Sequence, residues 1–141
     1  MSYKIKEVFY SIQGEGTHIG RPTIFCRFSG CNLWSGREED RKKAICNFCD
    51  TDFVGTNGEG GGIFETPSSL VTHLKTFWPN CENQNPIVEF TGGEPLLQVD
   101  EKLISECKKS NMLLTVETNG TQEVPEGIDW VCFSPKAGSK I

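Results

Sequence analysis

Four short apolar runs, each ending in a polar or glycine-rich segment, limit what this chain can fold into more than any other feature. The first, "TIFCRFSG" (Thr23 to Gly30), puts Ile24, Cys26 and Phe28 on one face at period two and Arg27 on the other, the pattern of a strand. "PIVEFTGGEP" is a short apolar strand, Ile87 to Phe90, that stops abruptly in glycines. "MLLTVETNG" and "DWVCFSP" are two further strand candidates. Helical segments separate the first three. "TPSSLVTHLKTFW" opens with Thr66 as a cap and Pro67 at the first helical position, and Leu70, Val71, Leu74 and Phe77 mark its apolar face. "VDEKLISECKKSN" has Asp100 as a cap, with Leu103, Ile104 and Cys107 facing inward. Strand, helix, strand, helix, strand, strand predicts an α/β domain with a mostly parallel sheet. The 141 residues are enough for one domain with a real core, and no repeat or second domain interrupts residues 1–141.

In such sheets chemistry sits beyond the carboxyl ends of the strands. Here those ends carry "GCN", "TGGEP", "ETNGT" and "SPKAG", which a parallel sheet would gather on one edge. The stretch "GTNGEGGG" (Gly55 to Gly62) reads as a flexible connection, and the charged "REEDRKK" as a solvated excursion. A net charge of -5 argues against a broad basic face for nucleic acid. No apolar run approaches the length that crosses a bilayer, and the first residues lack the pattern of a signal peptide. A cytoplasmic location is the expectation, with neither nucleic acid nor membrane as partner.

Reducing surroundings make a disulfide framework a poor account of seven cysteines. Three of them share one loop: Cys31, then fourteen residues on, the C-x-x-C pair Cys46 and Cys49. A structural zinc site wants four ligands, as does an ordinary electron-transfer iron–sulfur centre. Three thiolates could hold three corners of a cubane cluster and leave one iron open. Taken alone, the cysteines are equally compatible with a zinc half-site. Cys26, Cys81, Cys107 and Cys132 are scattered and read as small buried hydrophobes.

The neighbouring segments separate these readings. "YSIQGEG", "FCRFSGCNL", "CDT", "FTGGEP", "ETNG" and "SPK" occur in this order around the three cysteines. The ordered set resembles the radical S-adenosylmethionine enzymes, and among them most closely the 7-carboxy-7-deazaguanine synthase family of queuosine biosynthesis. The long gap between Cys31 and Cys46 departs from the common C-x-x-x-C-x-x-C spacing and is similar to the inserted cluster loop of some family members. A lengthened loop costs little chain entropy.

The resemblance implies a partial, incomplete radical barrel, compact and with about six strands and three helices in the full family. Members continue past the point matching Ile141, so this chain is expected to lack the C-terminal portion of that fold. It implies a lyase that converts 6-carboxy-5,6,7,8-tetrahydropterin to 7-carboxy-7-deazaguanine with loss of ammonia. Cys31, Cys46 and Cys49 would ligate a [4Fe-4S] cluster whose open iron chelates S-adenosylmethionine, and Thr51 would bind Mg²⁺, with Asp50 its rival by charge. Phe48, Cys49, Asp50, Gly92, Gly93, Ser134, Pro135 and Lys136 would contact the cofactor. Ile12, Gln13, Gly14, Arg27 and Thr91 would contact the pterin, Arg27 as a fork on its carboxylate. A homodimer and an external electron donor such as flavodoxin are implied as well. Two alternatives share parts of the pattern: an activase that installs a glycyl radical on a protein partner, and a non-catalytic zinc module.

Overall fold

The computed structural model describes residues 2–14, 16–33, 35–45, 53–79 and 84–136. Among them, six strands form one mixed sheet in the order β3-β1-β2-β4-β5-β6. They are β1 (Tyr3–Ile12), β2 (Pro22–Phe28), β3 (Gly62–Phe64), β4 (Ile87–Gly92), β5 (Leu113–Thr118) and β6 (Trp130–Phe133). β2, β4, β5 and β6 run parallel, while β1 is antiparallel to both β2 and β3. The helices are α1 (Pro67–Lys75) and α2 (Glu101–Lys109), with short 3-10 turns at Glu38–Lys43 and Pro95–Leu97. The first of these turns lies in the charged excursion and buries no residue.

One face of the sheet is the core. Ile24, Cys26 and Phe28 stand in register with Val88, Phe90 and Gly92, and Val88 and Phe90 with Leu114 and Val116. The apolar members of these rows have no exposed surface. Leu70, Val71 and Leu74 of α1 and Leu103, Ile104 and Cys107 of α2 cover them. Each helix starts where its cap residue requires. Thr66 Oγ1 accepts from the Ser69 N–H at 3.0 Å, and Asp100 Oδ1 from the Leu103 N–H at 2.9 Å. Asp100 also accepts from Tyr3 Oη at 2.7 Å, so the start of α2 is tied to β1. Cys26 and Cys107 belong to this core. Burial pushes both thiols up, Cys107 to about 12, so they stay protonated and poor as metal ligands.

The structure adds two strands and corrects one reading. β1 escapes a period-two reading because its pairing with β2 shifts register between Ile5 and Glu7, and a bulge at Lys6 breaks the alternation. Lys6 is itself buried, its Nζ donating to the Val54 carbonyl at 2.8 Å and to Asn57 Oδ1 at 2.6 Å. The glycine-rich stretch is not a flexible connection. Gly58 N–H donates to the Lys6 carbonyl and Val8 N–H to the Glu59 carbonyl, both at 2.9 Å. A Cβ on Gly61 would stand 2.3 Å from the Lys6 oxygen. Close backbone approach beside β1, followed by the short strand β3, explains the glycines that suggested mobility.

The carboxyl ends of β2, β4 and β5 are held together by Glu94, which has no exposed surface. Its carboxylate accepts from Leu96 N–H at 3.1 Å, Thr118 Oγ1 at 2.8 Å and Asn119 N–H at 2.8 Å. Its own N–H donates to the Gly30 carbonyl at 2.9 Å. One residue after β4 thus fastens the segments that follow β2 and β5. In Glu94→Gln an amide NH₂ replaces an acceptor and faces a donor. The variant is expected to lose about 1–3 kcal/mol, the cost of leaving a buried hydrogen-bonding group unmatched. A urea titration reads this as a lowered midpoint, and a wild-type midpoint would contradict the role given to Glu94.

Candidate active site at the carboxyl edge of the sheet

The parallel register sends the segments after β2, β4, β5 and β6 to one edge, where a cleft of about 270 Å³ opens. Arg27, Cys31, Thr91, Gly92, Gly93, Asn119, Ser134 and Lys136 line it, with Leu33 and Phe53 as apolar walls. A larger open hollow of about 740 Å³ lies at the opposite edge, between Arg21, Lys108, Asn111 and Asp129. It borders the starts of the strands, where the short segments leading into β4, β5 and β6 line it. Asp129 there serves the fold. Burial alone would push its carboxyl up, but the Leu114 N–H and the Lys108 ammonium hold it below the usual range.

Arg27 sits on the face of β2 away from the helices, in register with Glu7 of β1 and Thr91 of β4. Its Nε donates to Glu7 Oε1 at 3.0 Å and its Nη1 to the Gly92 carbonyl at 3.0 Å. These bonds fix the guanidinium plane and use two of its five N–H groups. The remaining three lie on the Nη1 and Nη2 end, the geometry that grips a carboxylate as a fork. Arg27 is therefore both a salt-bridge partner and a cleft residue. The buried Thr91 adds a hydroxyl beside it.

Gly92 and Gly93 are required by the chain's own packing. A Cβ on Gly93 would stand 1.8 Å from the Gly30 oxygen, and one on Gly92 would stand 2.8 Å from the Phe28 oxygen. The same absence of side chains leaves backbone at the cleft surface. Lys136 Nζ donates to Ser134 Oγ at 3.0 Å, which places an ammonium and a hydroxyl side by side after β6. Pro135 between them is exposed and is not among the lining residues. Cys31 Sγ accepts from the Leu33 N–H at 3.4 Å and faces the cleft.

Other residues singled out from the sequence lie elsewhere. Cys46, Phe48, Cys49, Asp50 and Thr51 fall outside the described residues, as does Cys81. Gln13 is buried on the same inner face of the sheet, nearer the start of β2. Its Nε2 donates to Glu89, and its Oε1 accepts from the Gly14 N–H at 3.0 Å. Thr115 Oγ1 donates to the other oxygen of Glu89 at 2.9 Å. Ile12 is exposed at the end of β1. Among the described residues no three His, Cys, Asp or Glu side chains group as a metal site. Sequence reasoning passed over Phe53, Glu117 and Asn119. Period two along "LLTVET" places Glu117 opposite Leu114 and Val116, hence on the face of Arg27, and that signal was available. The fixed bonding of Asn119 had no such signal.

The cleft belongs to a chain with close relatives. It is 52% identical over its whole length to a 7-carboxy-7-deazaguanine synthase of Burkholderia multivorans and covers 67% of that protein. It is 53% identical, with the same coverage, to the synthase of Bradyrhizobium diazoefficiens. The crystal structure of QueE from Escherichia coli matches with a TM-score of 0.71 and 27% identity, over 96% of this chain and 60% of that one. No family model matches. The chain thus spans about two thirds of the length of these curated relatives, and its sheet is an unclosed, truncated form of the radical S-adenosylmethionine barrel. On identity along its entire length and on this fold, the chain belongs to the 7-carboxy-7-deazaguanine synthase family.

Proposed function

We infer that the protein acts as a radical S-adenosylmethionine lyase that converts 6-carboxy-5,6,7,8-tetrahydropterin to 7-carboxy-7-deazaguanine with loss of ammonia. The observation that carries this reading is the convergence, in one cleft of a family member, of a pre-set arginine fork, a thiol and a side-chain-free turn. The donor set fits the groups the family resemblance implies. Thiolates are the ligands iron–sulfur clusters take, and Cys31 brings its sulfur to the cleft. Cys46 and Cys49 would complete the three ligands. The bare backbone of Gly92 and Gly93 fits the methionine end of S-adenosylmethionine. Ser134, Pro135 and Lys136 would take the adenosine side, with Phe48 and Asp50 beside Cys49. When bound, these groups supply an electron and a carbon-centred radical that starts the rearrangement of the pterin.

The chain's own work is to bind and orient. Arg27 holds the substrate carboxylate with its free end while Glu7 and the Gly92 carbonyl keep the guanidinium from turning. The Gly92 bond sets the substrate clamp directly beside the cofactor turn. Gln13 and Glu89 stand on the same inner face, two residues along β4 from Thr91, which is about 7 Å in a strand. A pterin ring laid along this face would span that distance, with Ile12, Gln13 and Gly14 at its far end. Thr51 offers Mg²⁺ a hard oxygen, as this small cation prefers, with Asp50 as the competing ligand. The proposal extends to a homodimer, which sedimentation analysis reads, and to flavodoxin as electron donor.

The direct test is anaerobic turnover of the reconstituted protein with the pterin, S-adenosylmethionine and reduced flavodoxin. Formation of 7-carboxy-7-deazaguanine is expected, stimulated by Mg²⁺ in the wild type and much less so in Thr51→Ala. A glycyl radical on an added protein with the pterin left intact would overturn the reading. If only Asp50→Asn abolishes the Mg²⁺ response, the ligand is the aspartate.

Arg27→Lys keeps the charge and loses the fork. It is expected to raise KM for the pterin by about tenfold to a hundredfold, the worth of one or two charge-assisted hydrogen bonds. Reductive cleavage of S-adenosylmethionine without substrate should persist. An unchanged KM would confine Arg27 to its structural bonds with Glu7 and Gly92.

A further inference from the structure

Asn119 is a cleft residue whose side-chain amide has its carbonyl edge fixed by a group of known polarity. It is buried, and its backbone N–H is fixed by the Glu94 carboxylate at 2.8 Å. Its side-chain Oδ1 accepts from the Thr121 N–H at 3.0 Å and from Thr121 Oγ1 at 2.7 Å. A backbone N–H can only donate, so the carbonyl edge of the amide must face Thr121. The NH₂ edge is therefore turned the other way, toward the cysteine loop. There Nδ2 donates to Asn32 Oδ1 at 3.2 Å and stands 4.0 Å from Cys31 Sγ. Asn32 Nδ2 in turn donates to Thr121 Oγ1 at 2.8 Å, which locks the two loops together. Two N–H groups are thus directed at one sulfur: that of Leu33, from the loop itself, and that of Asn119, from the end of β5.

We propose that Asn119 is a positioning residue for the iron–sulfur centre, its amide N–H directed at Cys31 Sγ so as to raise the reduction potential of the cluster. The inference rests on the reading of Cys31, Cys46 and Cys49 as cluster ligands. A hydrogen bond to a ligating sulfur draws charge from the cluster and favours the state that carries one more electron. A sulfur bearing thiolate charge accepts more strongly than a neutral thiol, so a contact at the long end of N–H···S distances gains weight when the cluster is bound. Glu94 acts through the same residue. By holding the Asn119 backbone it sets where the amide can reach, which links the "GGEP" turn to the sulfur of the first cysteine.

The test is a redox titration of the reconstituted protein, followed by electron paramagnetic resonance without pterin. The variants are Asn119→Asp, which keeps the acceptor for Thr121 and loses the donor, and Asn119→Leu, which loses both. Iron and sulfide content should equal the wild type. At a fixed potential, the ratio of reduced to oxidised cluster should fall about tenfold in either variant, which is about 59 mV for a one-electron couple. A wild-type midpoint in fully loaded variants overturns the proposal. So does loss of the cluster from a folded variant, because the role assigned is tuning and not retention. Failure of the wild-type protein to take up iron would instead overturn the cluster reading beneath it. A second measurement needs no variant. Pulsed resonance on reduced wild type labelled with ¹⁵N-asparagine should show hyperfine coupling to a side-chain nitrogen, and its absence contradicts the contact.

Discussion

A carboxylate with no exposed surface holds three strand ends in place. Glu94 takes bonds from the turn it begins, from Thr118 at the end of β5 and from Asn119 just after it, and gives its own N–H to Gly30 after β2. Burying a carboxyl group this deeply is costly unless its oxygens find hydrogen-bond donors, and here three donors meet them. The arrangement has a geometric consequence. The backbone after β2 leads to Cys31, that after β4 supplies Gly93, and that after β5 supplies Asn119. Fixing Glu94 fixes the mutual placement of all three.

The two faces of the sheet divide the work. The helix face is mostly apolar and backs the strands with a packed core. The other face carries Glu7, Arg27, Glu89, Thr91, Thr115 and Glu117 in neighbouring register positions. Polar groups on that face are bonded to one another, as Gln13 and Thr115 are to Glu89, or pre-set toward the cleft, as Arg27 is by Glu7. A face of this kind positions a polar ring more exactly than loops could, because strand register holds each side chain. The two core thiols illustrate the same division. Cys26 and Cys107 are kept protonated by burial, whereas Cys31 opens onto the cleft.

The parallel half of the fold was legible because its signals are local. Period two in "TIFCRF", the caps Thr66 and Asp100, and the abrupt stop at "TGG" each follow from short-range physics. So was the gathering of "GCN", "TGGEP", "ETNG" and "SPK", since parallel strands have only one carboxyl edge. β1 was not legible, because a bulge at Lys6 disguises its alternation and the buried lysine reads as surface. The glycine stretch misled for a related reason. Glycine signals either freedom or close approach, and only the position of β1 tells which. Among site residues, the outward direction of Arg27 came from strand period, but its bonds to Glu7 and Gly92 and the orientation of Asn119 depend on partners distant in sequence. The burial of Gln13 on the inner face, bonded to Glu89, likewise needed the tertiary arrangement.

The central claim is that the carboxyl edge of the parallel strands, assembled around Glu94, is where the cofactor binds. Hydrogen–deuterium exchange of the cluster-loaded protein with and without S-adenosylmethionine measures this most directly. The account predicts joint protection of the backbone around residues 29–33, 92–97 and 118–121, three segments far apart in sequence. Protection confined to the opposite edge, around Arg21, Asn111 and Asp129, with those three segments unchanged, would contradict it.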